Sequence, residues 1–549
     1  MAKKVFIGAA WPYANNSMHL GHVAALIGGD VLARYHRLKG DEVLYVSGSD
    51  CYGTPIAVEA EKRGIDPEEI ARKYDNEFRQ TLCEDLGFSY DIFTNTLTQN
   101  HREIVQNNFK NLLAKEKIEE KEVELPYCES CQRFLPDRYI EGECPNCNFK
   151  DARGDQCDNC GSILDPKDLV NPRCKACGGR PIFKKSKHFF LKLAEIEPQI
   201  KEFISNSSGW RPNAKNFSLK FVEGGLHDRA ITRDLEWGIN IPIEGYEEKK
   251  IYVWFEAVTG YLSASIEWAK ESAEEKKWED FWKDNDAVHY YVHGKDNIPF
   301  HTIIWPAILM GLGELKLPDI IVSSEYLTLE GSQFSKSRKH AVWLPDFLKE
   351  FDSETLRYYL IANGPETSDA DFSWDAFRDK TNNELIGNFA NFINRTLSLI
   401  KNNFPDGLDF KGEYSEQQNE LLSNAVTAHE EIGKKIESTN FRDALKTIFS
   451  LAENGNRYLN KNEPWKKIKT DRSEAEKDLL ALANVILAIC SLIEPFLPKT
   501  AKKIAQSVGL ESLAWSFGPL DRVAVGDLSL LFEKLEDDKI EEQKEKLKK

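Results

Sequence analysis

The sequence predicts a doubly wound, parallel α/β sheet, interrupted by a cysteine-rich insertion and followed by an all-α bundle. Three observations lead there. Short apolar runs such as Val5-Phe6-Ile7-Gly8-Ala9-Ala10 and Glu42-Val43-Leu44-Tyr45-Val46 alternate with amphipathic stretches up to about residue 117, the rhythm of parallel strands with helices on both faces. Eight of the eleven cysteines fall as four C-x-x-C pairs between residues 128 and 177. From residue 383 to 508, apolar residues recur every three or four positions, the period of packed helices.

In order, the first strand ends in Trp11-Pro12-Tyr13-Ala14-Asn15-Asn16-Ser17, and a helix is expected to begin around His19 in His19-Leu20-Gly21-His22. Two imidazoles three apart at a helix N-terminus can donate to phosphate oxygens, and Gly21 lets an adenine ring approach the backbone. The same tetrapeptide also reads as capping and packing histidines. Residues 1–117 are thus the first half of the sheet domain and 118–235 the insertion. Strand-like Ile251-Tyr252-Val253-Trp254-Phe255 and Val288-His289-Tyr290-Tyr291-Val292 resume the sheet within residues 236–325, and Ile320-Ile321-Val322-Ser323 adds a strand. A linking region, 326–380, carries the Ser-rich loop Phe334-Ser335-Lys336-Ser337-Arg338. A mobile cation there, Lys336, can follow charge developing on a transferring phosphoryl group, where such a cation gains most. The helical part spans 381–549, and its last fifteen residues, nearly all charged or Gln, read as a solvated or fraying helix.

The 549-residue chain has no signal-peptide pattern at its start and reads as cytosolic. Its longest apolar run, 479–497, holds Asn484, Ser491, Glu494 and Pro495, which suits a buried bundle helix and not a membrane span. With 72 Lys and Arg against 89 Asp and Glu, the net charge of -17 excludes a protein that coats nucleic acid indiscriminately. Nucleic-acid contact would need local patches, for which 180–187 (Arg-Pro-Ile-Phe-Lys-Lys-Ser-Lys) and 464–469 (Pro-Trp-Lys-Lys-Ile-Lys) are candidates and solvated faces the alternative. In a cytosolic chain the pairs Cys128/Cys131, Cys144/Cys147, Cys157/Cys160 and Cys174/Cys177 indicate two closed four-thiolate zinc sites, structural because no position stays open. Spacing leaves sequential and nested pairing both open. Cys51, Cys83 and Cys490 lack ligand spacing and read as packing residues.

The histidine and Ser-Lys-Ser stretches, each after an apolar strand, resemble the two signatures of the class I aminoacyl-tRNA synthetases, with Gln333 where the second signature usually has its first lysine. Ala10-Trp11-Pro12-Tyr13-Ala14-Asn15, Ser49-Asp50-Cys51-Tyr52-Gly53-Thr54-Pro55, Tyr252-Val253-Trp254-Phe255-Glu256-Ala257 and Gly294-Lys295-Asp296 narrow the resemblance to the methionyl-tRNA synthetases. The insertion is also too short for the editing domain of the isoleucine, valine and leucine enzymes.

The resemblance implies a Rossmann-like catalytic domain, a zinc-knuckle insertion and a helical anticodon-binding domain. It implies attack of the methionine carboxylate on the ATP α-phosphorus, then acyl transfer to tRNA(Met) for initiation and elongation, with Mg²⁺ accompanying ATP and neither membrane nor DNA as partner. His19, His22 and Lys336 would be the orienting and electrostatic groups, with Gly21, Gly294, Asp296, Ser335 and Ser337 also at ATP. Ala10, Trp11, Tyr13, Asp50, Trp254, Ala257, Tyr261, His301 and Trp305 would hold methionine, Tyr261 and the Trp11 backbone meeting the sulfur and Asp50 the ammonium. Arg233 would contact substrate or phosphate charge, and Val258 replaces a proline common in family loops. Asn391, Arg395 and Trp465 would read the anticodon by edge hydrogen bonds and stacking. Nested zinc pairing is implied as well: Cys144, Cys147, Cys157 and Cys160 for one metal, Cys128, Cys131, Cys174 and Cys177 for the other. The rivals are a non-tRNA nucleotidyltransferase, which leaves the bundle without a role, and a zinc-ribbon nucleic-acid module, which the acidic balance opposes.

Overall fold

A computed structural model of the chain describes residues 2–136, 139–157, 159–160, 162, 164–334 and 340–547. In chain order, the elements that build the site are β1 (Lys4–Ala9), α1 (Leu20–Lys39), β2 (Glu42–Ser49), β3 (Ile92–Asn95), α2 (Gln99–Ala114), β4 (Ile118–Cys128), β5 (Ile182–Leu191), α3 (Val253–Glu256), α4 (Gly260–Glu271), β6 (Val288–Gly294) and β7 (Ile320–Ser324). Five strands form one sheet in the order β7-β6-β1-β2-β3, every pair parallel. Strand β1 is buried on both faces from Val5 to Ala9, which is why it reads as a continuous apolar run and not an alternating one. The order reverses between β1 and β6, and at such a switch point the strands' carboxyl ends open a ligand crevice.

One expected strand is absent. Only Lys250–Ile251 is extended, paired antiparallel with Thr232–Arg233 outside the main sheet, and Val253–Glu256 turns as helix α3. A five-residue apolar run cannot by itself distinguish a buried strand from a buried helical turn.

In the insertion, β4 and β5 pair antiparallel along ten residue pairs, with Cys128 ending β4 and the other paired cysteines lying between the two strands in sequence. A second, small core surrounds those cysteines and includes Leu135, Ile140, Ala152 and Leu169. The pairing disposes of much of the predicted basic patch: Lys185 bonds Glu122 at 2.7 Å, Lys187 bonds Glu120 at 2.9 Å, and Lys184 sits over the Tyr127 ring. These are neutralised cross-strand contacts.

The helical part contains α5 (Ser353–Asn363), α6 (Asn391–Asn403), α7 (Glu416–Glu437), α8 (Phe441–Asn462), α9 (Pro464–Thr470), α10 (Arg472–Ile493) and α11 (Asp537–Leu547). Helix α10 is buried all round from Asp478 to Ile493, the environment that an evenly apolar helix requires. No helix among the described residues is long and apolar enough to cross a membrane. Up to Leu547 the charged tail is helical and docked: α11 buries Ile540 completely and pairs Lys544 with Asp375 at 2.7 Å. Two apolar residues in eleven, Ile540 and Leu547, outnumbered by charges, are enough to dock it.

Helix α1 joins the two halves. Asp30 and Arg357 form a wholly buried pair at 2.7 Å, and Arg34 bonds both Asp30 and Glu494 at 2.9 Å. Burial pushes the Asp30 carboxyl up, and Arg357, Arg34 and hydrogen bonds from Ser89 more than reverse it. Deleting either buried partner strands a charge, at a cost of about 3–5 kcal/mol. Two residues earlier, Gly28 admits the Phe441 ring of α8 so closely that a Cβ would fall 2.6 Å from it.

Candidate functional site

His19 is the N-cap of α1, with extended backbone (φ -111°, ψ 170°), and His22 is its N3 residue. The Gly21 N–H donates to His19 Nδ1 at 3.2 Å and the His19 N–H donates to His22 Nδ1 at 3.1 Å, a capping box built from histidines. His22 Nδ1 also lies 3.3 Å from the His19 carbonyl; with each Nδ1 accepting its backbone N–H, the hydrogen of the neutral ring sits on Nε2. Helix capping thus turns two imidazoles into hydrogen-bond donors at the positive end of a twenty-residue helix. The rings lie 4.0 Å apart, and Phe334 stacks on His19 at 4.5 Å. Gly21 is required by proximity, since a Cβ would fall 3.0 Å from the His19 ring. Capping and ligand donation are here compatible uses of the same side chains. Ser335, Lys336 and Ser337 lie outside the described residues; Gln333 ends a short exposed ribbon with Ser332.

Across the switch point, Ala9 of β1 is in register with Val292 of β6, and the Ala10 N–H bonds Val292 O at 2.9 Å. This places Ala10 and Trp11 beside Gly294 and Asp296. Asp296 is exposed and accepts from the Tyr326 hydroxyl. Aromatic residues follow: Tyr13 meets Trp254 edge-on at 5.9 Å, and Trp254 stacks on Phe300 at 3.8 Å. Ala257 is half-buried just beyond α3. His301 Nδ1 faces the Asn297 carbonyl at 2.8 Å and must donate to it, so its Nε2, 2.7 Å from the Tyr261 hydroxyl, accepts. Burial lowers the His301 pKa to about 4, keeping it neutral. Trp305 is wholly buried and donates to Tyr291, which packs edge-on against Tyr261. Arg233 donates to the Ala230 and Thr232 carbonyls and lies 3.8 Å over the Tyr252 ring.

Asp50 follows β2 and is tied to the Trp11 loop, with Asp50 N–H donating to Pro12 O at 2.9 Å and Ala14 N–H donating to Asp50 O at 2.8 Å. Its carboxylate accepts from Tyr52 N–H at 3.2 Å and is almost wholly buried. Burial first, then the nearby Glu256, raise the Asp50 carboxyl well above the ordinary range. Glu256, at the end of α3, is 0% exposed and 2.7 Å from His101 Nε2. Sequence reasoning assigned no role to Glu256, His101, Phe300 or Tyr326. Glu256 and His101 are 155 positions apart, and only the folded chain pairs them.

The eight paired cysteines gather as two sets, Cys128/Cys131/Cys174/Cys177 and Cys144/Cys147/Cys157/Cys160, with the sulfurs of each set within 4.8 Å of one another. The nested arrangement is therefore the observed one. Individual S···S distances of 3.4, 3.8, 3.8 and 3.6 Å approach the edge of about 3.8 Å that thiolates 2.3 Å from a tetrahedral centre would span. The Cys131 backbone N–H lowers the Cys128 thiol to about 7, and the Ser162 hydroxyl lowers Cys160 to about 6. Their neighbours Cys131 and Cys157 are instead raised to about 12, by a hydrogen bond with Cys177 and by burial respectively. Each set offers one sulfur per cysteine at a spacing that could hold a metal ion. Among the other cysteines, Cys51 and Cys490 are wholly buried and Cys83 is half-buried.

In the bundle, Asn391 and Arg395 stand one turn apart on α6, both half-buried. Arg395 reaches across to Asn460 at 3.0 Å and lies 5.7 Å from the Trp465 ring at the start of α9. In the predicted 464–469 patch, Lys466 and Lys467 are paired with Glu463 and Asp478, while Lys469 is exposed.

A parallel-sheet crevice with paired histidines at the start of the first helix and a helical bundle after it are the arrangement of a class I aminoacyl-tRNA synthetase. Residues 5–397 match the family profile described as tRNA synthetases class I (M), and residues 408–549 match the anticodon binding domain of methionyl tRNA ligase. The chain is 46% identical over 546 residues to a methionine–tRNA ligase of Bacillus cereus (strain 03BB102), covering 99% of both chains. It is 46% identical over 545 residues to methionine–tRNA ligase 1 of Alkaliphilus oremlandii (strain OhILAs), again covering 99% of each. A Mycobacterium tuberculosis methionyl-tRNA synthetase in complex with methionyl-adenylate shares the fold, with a TM-score of 0.80 at 22% identity over 96% of this chain and 99% of that one. The chain belongs to the methionyl-tRNA synthetases.

Proposed function

We propose that the chain is an ATP-dependent methionine–tRNA ligase. The observation that carries this is family membership along both halves, with profiles matching residues 5–397 and 408–549. In the first step a methionine carboxylate oxygen attacks the ATP α-phosphorus, forming the acyl-phosphate bond of methionyl-adenylate as pyrophosphate leaves. In the second, a hydroxyl of the tRNA(Met) terminal ribose attacks the carbonyl carbon and AMP departs. His19 and His22 donate from Nε2 to phosphate oxygens, and Lys336 follows the charge that develops as pyrophosphate leaves. Asp50 takes the methionine ammonium, and the aromatic wall of Tyr13, Trp254, Tyr261 and His301 takes the thioether. Tyr261 donates to His301, so its oxygen faces the side chain chiefly as an acceptor, and the Trp11 backbone N–H is the donor to sulfur. Asp296 accepts from ribose hydroxyls once the Tyr326 hydroxyl yields, with Gly294 beside the adenosine. Mg²⁺ bound with ATP supplies neutralisation of phosphate charge. Asn391, Arg395 and Trp465 read the anticodon. A cytoplasmic location belongs to the same reading.

ATP–pyrophosphate exchange measured with each of the twenty amino acids tests the assignment. Methionine should support exchange far above the rest, and equal or better exchange with another amino acid would sink it.

We assign structural zinc to both thiol sets, whose geometry and closed four-sulfur composition fit it. Metal analysis of the purified chain should give two zinc ions. Cys144→Ser and Cys157→Ser should each lose the same ion, Cys174→Ser the other. A Cys144→Ser/Cys157→Ser double variant that loses both would contradict the nested sets.

A further inference from the structure

Strands β6 and β7 end side by side, with Gly294 in register with Ser324. Two residues beyond these ends stand Asp296 and Tyr326, and the Tyr326 hydroxyl donates to Asp296 Oδ1. Asp296 is the group assigned above to the ribose hydroxyls. Its carboxylate therefore already carries a hydroxyl, supplied by the chain itself.

The backbone on either side of Tyr326 is fixed. Glu325 N–H donates to Pro365 O at 2.8 Å, Tyr326 N–H donates to Asp369 Oδ1 at 2.9 Å, and Ala370 N–H donates to Tyr326 O at 3.0 Å. The strand Leu327–Leu329 then runs parallel to Ala370–Phe372. With both backbone groups of Tyr326 engaged, the side-chain torsions are what can take the hydroxyl off Asp296. The residue is 37% exposed, so its ring can rotate toward solvent without opening a cavity in the core.

Lys295 sets the resting place of that ring. Its ammonium is bonded to Glu325 at 2.7 Å and to Asp369 at 2.8 Å, and it lies 3.7 Å from the centre of the Tyr326 ring. A cation fixed by two carboxylates attracts the ring face and so holds the phenol oxygen at Asp296.

A phenol and a ribose hydroxyl present the same kind of donor to a carboxylate. A ribose offers two of them on adjacent carbons and the carboxylate offers two oxygens, so full engagement of the sugar reaches Oδ1, the atom that Tyr326 holds. We propose that Tyr326 is a positioning residue that stands in for the ribose: its phenol occupies Asp296 Oδ1 in the free enzyme and is displaced by the ribose diol of ATP. This rests on the assignment of Asp296 to the ribose. The cost of displacing the phenol falls on a sugar that carries hydroxyls. A nucleotide without them leaves the phenol in place.

The test is Tyr326→Phe, assayed by ATP–pyrophosphate exchange with ATP and with 2′,3′-dideoxyATP. Phenylalanine keeps a ring beside Lys295 and removes only the hydroxyl. If the phenol holds Asp296 for about 70–90% of the time in the free enzyme, the KM for ATP should fall about three- to tenfold, the inverse of the fraction in which Asp296 is open. The change should fall on KM and not on kcat, because the competition acts before the nucleotide is bound. The KM for dideoxyATP should not move. An unchanged or raised KM for ATP, or an equal fall for both nucleotides, would overturn the proposal. Should the variant fail to fold, acetylation of wild-type Tyr326 by N-acetylimidazole, read by mass spectrometry of its peptide, carries the test. ATP should accelerate the acetylation by freeing the hydroxyl, and dideoxyATP should not; equal rates with the two nucleotides, or slower acetylation with ATP, reject the proposal. Asp296→Ala separates the two assignments. If ATP and dideoxyATP then lose affinity equally or not at all, the ribose assignment fails; if ATP alone loses affinity while Tyr326→Phe leaves its KM unaltered, only the Tyr326 proposal fails.

Discussion

Replacing His22 by alanine is expected to cut ATP–pyrophosphate exchange by at least about a hundredfold while methionine affinity stays nearly intact, because the lost donor acts mainly on charge that develops in the transition state. The structure adds a complication. His22 Nδ1 also accepts the His19 N–H, so alanine removes half of the capping box and its usual benefit of about 1 kcal/mol. His22→Gln separates the effects, since glutamine at N3 completes a capping box. It should restore thermal stability without restoring rate. Recovery of exchange along with stability would make His22 a capping residue only. Lys336→Ala is expected to show the same loss of exchange.

Trp465→Ala should raise the tRNA concentration needed for aminoacylation by roughly five- to a hundredfold, the equivalent of a stacking platform worth about 1–3 kcal/mol. Methionine-dependent pyrophosphate exchange should barely change, because the crevice makes no use of this ring. Asn391→Ala and Arg395→Ala should also relax discrimination against altered anticodons. Arg395 contacts both Asn460 and the Trp465 ring, so its loss and that of Trp465 should be less than additive. Loss of exchange, or unfolding, in Trp465→Ala would instead mark the ring as packing.

What could be read from the sequence is what depends on neighbours along the chain. The strands at residues 5–10 and 42–46, the histidine cap and the C-x-x-C pairs carry local signals, and the structure contains all of them. The turn of helix at Val253–Glu256 reads as a strand in the sequence because five apolar residues satisfy either period. The pairing of Glu256 with His101, the neutralising of Lys185 and Lys187 across β4 and β5, and the docking of Ile540 all depend on register between distant segments. No local pattern encodes those. Nor does an H-x-G-H tetrapeptide say which ring nitrogen is used, which here follows from the two backbone N–H groups that the Nδ1 atoms accept.

The small core at the end of the insertion is separate from the core of the sheet, and four of its ten buried members among the described residues are cysteines. Among the described residues the remaining six are Leu135, Tyr139, Ile140, Ala152, Leu164 and Leu169, a small apolar core for so short a segment, and small units lean on metals, disulfides or partners. With the proposed zinc in each thiol set, the tip would be a cooperative unit whose cohesion is mostly coordination. Chelation should melt it as a single foldon, exposing the chain between residues 128 and 177 to proteases and to amide exchange, while β1, β2 and β6 keep their protection.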